Sequence, residues 1–138
     1  MLSQALARQL TAAGLPWQPS QGDYFAVLDA EMDDDIFVLA EQSAFVQMVN
    51  GVPAIAFHGT SEWALDFVVV EEVTWLPNES QLREALAERL PADHRLALMR
   101  QSDHYSCVIG PAAAPQAHVA ATAEDAYALA LLAVLGAA

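Results

Sequence analysis

The sequence predicts an α+β fold, with an antiparallel sheet built from a meander and a hairpin and covered by three helices in the order α-β(n)-α-β-β-α. Three observations lead there. Leucines recur at helical spacing near the start of the chain, again after Asn78, and in an almost wholly apolar form after Thr122. Between the first two of these segments lies a series of short runs rich in Val, Ile, Phe, Tyr and Trp, the residues that fit a pleated, half-buried surface. One break between such runs is Asn50-Gly51, a strong hairpin signal because a type I′ turn needs positive φ at both central residues. A chain of 138 residues is expected to form a single domain spanning residues 1–138, long enough to bury about two-thirds of its unfolded surface.

Taken in order, Leu2, Leu6 and Leu10 mark the first helix, with Gly14 in the C-cap place. Pro16 and Pro19 bracket Trp17 in a linker, after which strand-like runs follow at Tyr24–Leu28, Ile36–Ala40, Phe45–Val49, Val52–His58 and Trp63–Leu76. Pro53 lacks an N–H and so marks an edge or a bulge. The long last run reads as either one bent strand or two. Asn78 then sits three residues before Gln81, the spacing of a capping box, and Leu82, Leu86 and Leu90 form a helical stripe that Pro91 ends. Arg95–Arg100 and Tyr105–Ile109 read as a hairpin around Ser102-Asp103-His104, and 110–115 as a loop. Thr122 and Asp125 make a second capping box, opening a helix from Ala123 to Leu135 that closes at Gly136. That helix is apolar nearly all round, so it is either sandwiched between layers or shared between two copies of the chain.

Charge sets the functional exclusions. All five basic residues are arginines, at 8, 83, 89, 95 and 100, against eighteen Asp and Glu, for a net charge of -13. The 74 residues between Arg8 and Arg83 hold twelve carboxylates and no lysine or arginine. Nucleic-acid backbones and anionic membranes select Lys and Arg clusters, so neither is expected as a partner. A carboxylate-rich surface instead suits a basic protein partner. The 55% hydrophobic content points to a homo-oligomer interface. Cys107 is the lone cysteine, so no internal disulfide can form and a cytoplasmic setting is expected. Residues 1–14 lack the charged start of a signal peptide, and the apolar tail from Ala126 to Ala138 is too short to cross a bilayer.

Sites for chemistry are sparse. Asp29, Glu31, Asp33 and Asp35 match the alternate oxygen ligands of a calcium loop, but Asp34 stands where the turn needs glycine and Ala40 where a bidentate glutamate belongs. A solvated acidic tip that guards a sheet edge is the competing reading for Asp29–Asp35. Cys107 has His104 and Asp103 near it in sequence, the residue types of a thiol nucleophile and its base, although Cys107 also reads as a small buried hydrophobe on a strand. His58, His94, His104 and His118 show no metal-ligand spacing, and no phosphate loop, dinucleotide fingerprint or serine elbow is present. No cofactor is therefore expected. Trp17, Trp63 and Trp75 suit either a ligand groove or a core.

Trp75-Leu-Pro-Asn78, Gln81-Leu82, Tyr105-Ser-Cys107 and the segment Thr122–Leu132 together are similar to small bacterial and prophage-associated proteins of unknown function. In those, a Trp-Leu-Pro turn leads into a helix, a hairpin follows, and a last helix closes an α-β-α sandwich. The likeness covers about the last 65 residues and implies no catalytic residue. Gln21-Gly22-Asp23-Tyr24-Phe25 resembles the start of small SH3-like barrels. Element order and acidity also resemble type III secretion chaperones, small acidic homodimers, from which this chain departs in carrying more strands between its first two helices. The functional expectation is a non-enzymatic, self-associating interaction module. The alternatives are an acidic chaperone or DNA-mimic-like binder of a basic protein, and a hydrolase built on Cys107 and His104.

Overall fold

A computed structural model describes residues 1–27, 36–40, 44–57 and 67–137. The fold class is α+β, as the residue patterns predict. Among the described residues there are three helices, α1 (Gln4–Ala12), α2 (Glu79–Arg89) and α3 (Ala123–Ala137), and nine strands. The strands are β1 (Tyr24–Val27), β2 (Ile36–Val38), β3 (Ala44–Val49), β4 (Val52–Phe57), β5 (Phe67–Val69), β6 (Val73–Leu76), β7 (Arg95–Gln101), β8 (His104–Gly110) and β9 (Gln116–Ala120). They form three antiparallel sheets in the orders β2-β1-β6, β3-β4-β5 and β7-β8-β9. The chain divides into two compact units, one made of Met1–Pro16 with Pro77–Ala138, the other of Trp17–Leu76. No described helix is long and apolar enough to cross a membrane.

The discontinuous unit holds all three helices and the sheet β7-β8-β9. Its helix boundaries follow local chemistry. Ser3 caps α1 by accepting from the Leu6 N–H, and Gly14, at φ +96°, reverses the chain so that Leu15 N–H reaches Leu10 O and Gly14 N–H reaches Thr11 O. In α2 the capping box is complete, with Gln81 N–H on Asn78 Oδ1 and Asn78 N–H on Gln81 Oε1, both at 2.8 Å. At α3 only half of the expected box forms. Asp125 N–H donates to Thr122 Oγ1, but the Asp125 carboxylate accepts from Ser3 N–H at 2.9 Å, tying the start of α1 to the start of α3. Gly136 does not end α3, which continues through Ala137.

α3 packs on all three strands of its sheet and on both other helices. Ala128 and Ala130, about 200° apart around a helix, are both fully buried, so the apolar helix is sandwiched between layers within one copy of the chain. Methyl side chains at Ala126, Ala128 and Ala130 allow neighbours to approach closely, while Leu82 and Leu86 of α2 and Ala7 and Leu10 of α1 supply fully buried or nearly fully buried partners. The hairpin β7-β8 forms over 95–110, and a third strand, β9, which its residue types do not predict, pairs beside it. Gly110, at φ +113°, makes the turn possible. A Cβ there would come within 3.1 Å of the Ala114 carbonyl oxygen.

The inserted unit, Trp17–Leu76, draws one core from both of its sheets: Phe25, Val27 and Val73 from one, Ala44 and Ile55 from the other, with Leu39 between. Asn50 and Gly51 take φ of 52° and 79° and close the β3-β4 hairpin as expected. Val49 pairs with Val52, so the next pair, Met48 with Pro53, is a non-hydrogen-bonded one. The missing N–H of Pro53 thus points away from β3, on the side where β5 pairs only Ala54 to Ala56, which is how a proline fits in a central strand. The ambiguous 63–76 run contains two strands, β5 and β6, separated by a 3-10 turn at Val70–Glu72.

Trp17 is part of this unit. It stacks on Trp75 with ring centroids 6.2 Å apart and packs against Phe25. The buried Asp23 carboxylate accepts from Trp17 Nε1 at 2.9 Å and from Ser20 N–H at 3.0 Å. Replacing Asp23 by Ala strands both donors, and the expected loss is about 2 kcal/mol of stability in urea unfolding, with Asn recovering part of it.

Candidate functional site

The sheet β7-β8-β9 has two unlike faces. Alternation and register put Leu96, Leu98, Tyr105, Cys107, Ile109 and His118 on one, and Ala97, Met99, Ser106, Val108, Ala117 and Val119 on the other. Cys107 is fully buried and Ile109 nearly so, which places α3 over the first face. On the second, Met99 and Val119 remain 47% and 53% accessible. They flank Ser106 in one cross-strand row, and Ala97, Val108 and Ala117 make the next, so neither row carries a charge. Charge sits at the ends. Exposed Arg95 lies opposite Gly110 at one end, and Gln101 pairs with His104 at the other, beside the turn residue Asp103. His104 Nδ1 is 2.7 Å from Asp103 Oδ1, and this hydrogen bond, then the imidazole charge, holds the Asp103 carboxyl below its usual range.

The candidate dyad does not assemble. Cys107 and His104 are three positions apart on one strand and so project from opposite faces. Across from Cys107 on the α3 side stand Leu98 and His118, the latter on β9, a strand that its residue types do not predict. Paired Cβ atoms of this kind lie about 5 Å apart. His118 Nε2 is buried without a hydrogen-bond partner. Burial pushes the Cys107 thiol up to about 11, so at neutral pH it is a protonated thiol and a poor nucleophile.

No group of three or more His, Cys, Asp or Glu is placed to hold a metal ion among the described residues. The acidic run Asp29–Asp35 and Trp63 lie outside the described residues. Trp17 and Trp75, both half-buried, stack beside the core of the inserted unit.

A cleft of about 530 Å³ opens in the discontinuous unit. The last turn of α2 with Leu90 and Pro91, the turn between β8 and β9, and the last turns of α3 wall it. Its polar side chains are Arg89, His94 and Gln116, and no Asp or Glu lines it among the described residues. The sequence shows each of these residues, but only the folded register of Gly110 with Pro111 and Ala114 brings them together.

Comparison of the chain with protein-family models, with curated proteins and with solved structures returns no match.

The Cys107 shift fixes an alkaline stability change. The unfolded thiol ionises near 9.0 and the folded one near 11, so above pH 9 the folded chain retains a proton that the unfolded chain has lost. Stability contributed below that pH is then lost at about 1.4 kcal/mol per pH unit up to the folded value. Urea unfolding across this window is expected to show a shallower decline for Cys107→Ala than for the native chain.

Proposed function

We propose that this chain is a non-enzymatic interaction module that self-associates in the cytoplasm through the open face of the β7-β8-β9 sheet. The observation that carries the reading is the pair of uncharged cross-strand rows, 97/108/117 and 99/106/119, in which the edge-strand members Ala97, Met99, Ala117 and Val119 are exposed on either side of half-buried Val108 and buried Ser106, in a chain of net charge -13. Two copies of a strongly acidic chain repel one another, and a charge-free face is where they can approach at least cost. The face is also self-complementary at its ends. A two-fold axis running across the strands brings Arg95 of one copy over the Asp103 turn of the second, and the same contact is repeated by symmetry. The similarity to type III secretion chaperones, which are acidic homodimers, favours the same reading.

A second reading rests on a separate observation. The inserted unit holds eleven of the eighteen carboxylates and none of the five arginines. That one-signed potential suits a basic protein surface, as an acidic chaperone or a DNA mimic would present.

Sedimentation equilibrium tests the first reading. The native chain is expected to dimerise, the double variant Met99→Glu with Val119→Glu to be monomeric, and Arg95→Asp to weaken association roughly tenfold. Adding Asp103→Arg to Arg95→Asp should restore it. A native chain that stays monomeric at every concentration sinks the reading. For the second, a pull-down at about 0.05 M and about 0.5 M salt should retain a basic protein only at the lower, because screening shortens the reach of surface charge. Retention that ignores salt argues against it.

A further inference from the structure

We propose that the cleft between α2, α3 and the β8-β9 turn binds a small amphiphilic carboxylate, a medium-chain fatty acid or a close analogue, with the headgroup on Arg89 and His94. This inference stands apart from the self-association reading and uses none of the open sheet face.

Size and chemistry both select that ligand class. The cleft, at about 530 Å³, falls inside the range of small-molecule sites, roughly 300–1,000 Å³. Leu90, Pro91, Ile109, Val134 and Leu135 give it aliphatic walls without a Phe, Tyr or Trp ring to stack on, which suits a flexible hydrocarbon chain more than a planar heterocycle. The charge pattern is unusual for this chain. The unit that holds it has seven acids and five arginines, and among the described residues the cleft is lined by an arginine and a histidine and by no Asp or Glu.

The Arg89 charge is available to a ligand. Its Nη1 donates to the Ala85 carbonyl at 2.9 Å, near the end of α2, and lies 4.0 Å from Glu88 Oε2. The Glu88 side chain is 77% accessible, so water screens that pair. The remaining edge of the guanidinium has no partner among the described residues, and its planar fork matches a carboxylate. His94 Nε2 is likewise 4.0 Å from Asp93 Oδ1, on a side chain 82% accessible. The carbonyl ends of α2 and α3 carry partial negative charge, which makes the guanidinium necessary for an anionic head to sit there.

Calorimetric titration of the whole chain with decanoate, and with decylammonium as a probe of equal chain length and opposite charge, tests the proposal. Decanoate is expected to bind roughly tenfold or more tightly than decylammonium, Arg89→Met to erase that preference, and Val134→Trp to block both by filling the cleft. Equal binding of the two probes by the native chain overturns the headgroup assignment, and no binding of either overturns the site. Because the decisive comparison uses the native chain, it holds even if a variant fails to fold.

Discussion

Everything in the discontinuous unit depends on covering α3. A helix of this composition, Ala-Glu-Asp-Ala-Tyr-Ala-Leu-Ala-Leu-Leu and onward, has only its first turn suited to water, and leaving the rest exposed would forfeit on the order of 25 cal/mol for every Å² of apolar surface. Three coverings answer that demand: a sheet on one side and two helices on the other. The alanines set how tightly they can close. The hydrogen bond from Ser3 N–H to Asp125 then fixes where α1 begins relative to α3, across 122 residues of sequence. A sheet drawn onto α3 through Cys107 and Ile109 necessarily turns its other face outward, and so the burial of one helix is what creates the open face at Met99 and Val119.

Much of the fold was legible because its signals are local. Asn78 with Gln81, Gly14 after Leu10, and Asn50-Gly51 each specify a backbone conformation within four or five residues, and each forms as read. The failures share a different cause. β9 reads Gln-Ala-His-Val-Ala, with one β-branched residue in five, and exists because β8 offers it an edge. Asp125 looks like half of a capping box and is used instead for a contact with the far end of the chain. Gly136 has the composition of a helix stop but only helical neighbours to obey. The division of the strands among three sheets was likewise invisible, since pairing partners are not written in the runs themselves. The cleft was out of reach for the same reason: Arg89, Gly110 and Val134 meet only through tertiary register.

Charge is partitioned between the units. The inserted unit has eleven acids and no lysine or arginine, whereas the discontinuous unit sets seven acids against five arginines. The first has no Lys or Arg of its own to neutralise a buried carboxylate, and Asp23 accepts from N–H donors of Trp17 and Ser20. Within the second, opposite charges are near balance, and apolar surface can be presented without a large repulsive field around it. The division gives the chain one region that repels its own kind and one that tolerates it.

The stacking of Trp17 on Trp75 has a consequence for the order of assembly. These residues stand at the two ends of the insertion, with rings 6.2 Å apart, and β1 pairs with β6 so that Tyr24 faces Leu76. Were the insertion unfolded, joining α1 to α2 would mean closing a loop of 60 residues, an entropic cost of about 3.6 kcal/mol from length alone. Once the aromatic clasp is made, the same connection behaves as a loop of a few residues. The helices therefore gain a short effective separation from the prior folding of the segment that interrupts them, and a large insertion need not slow the unit that hosts it.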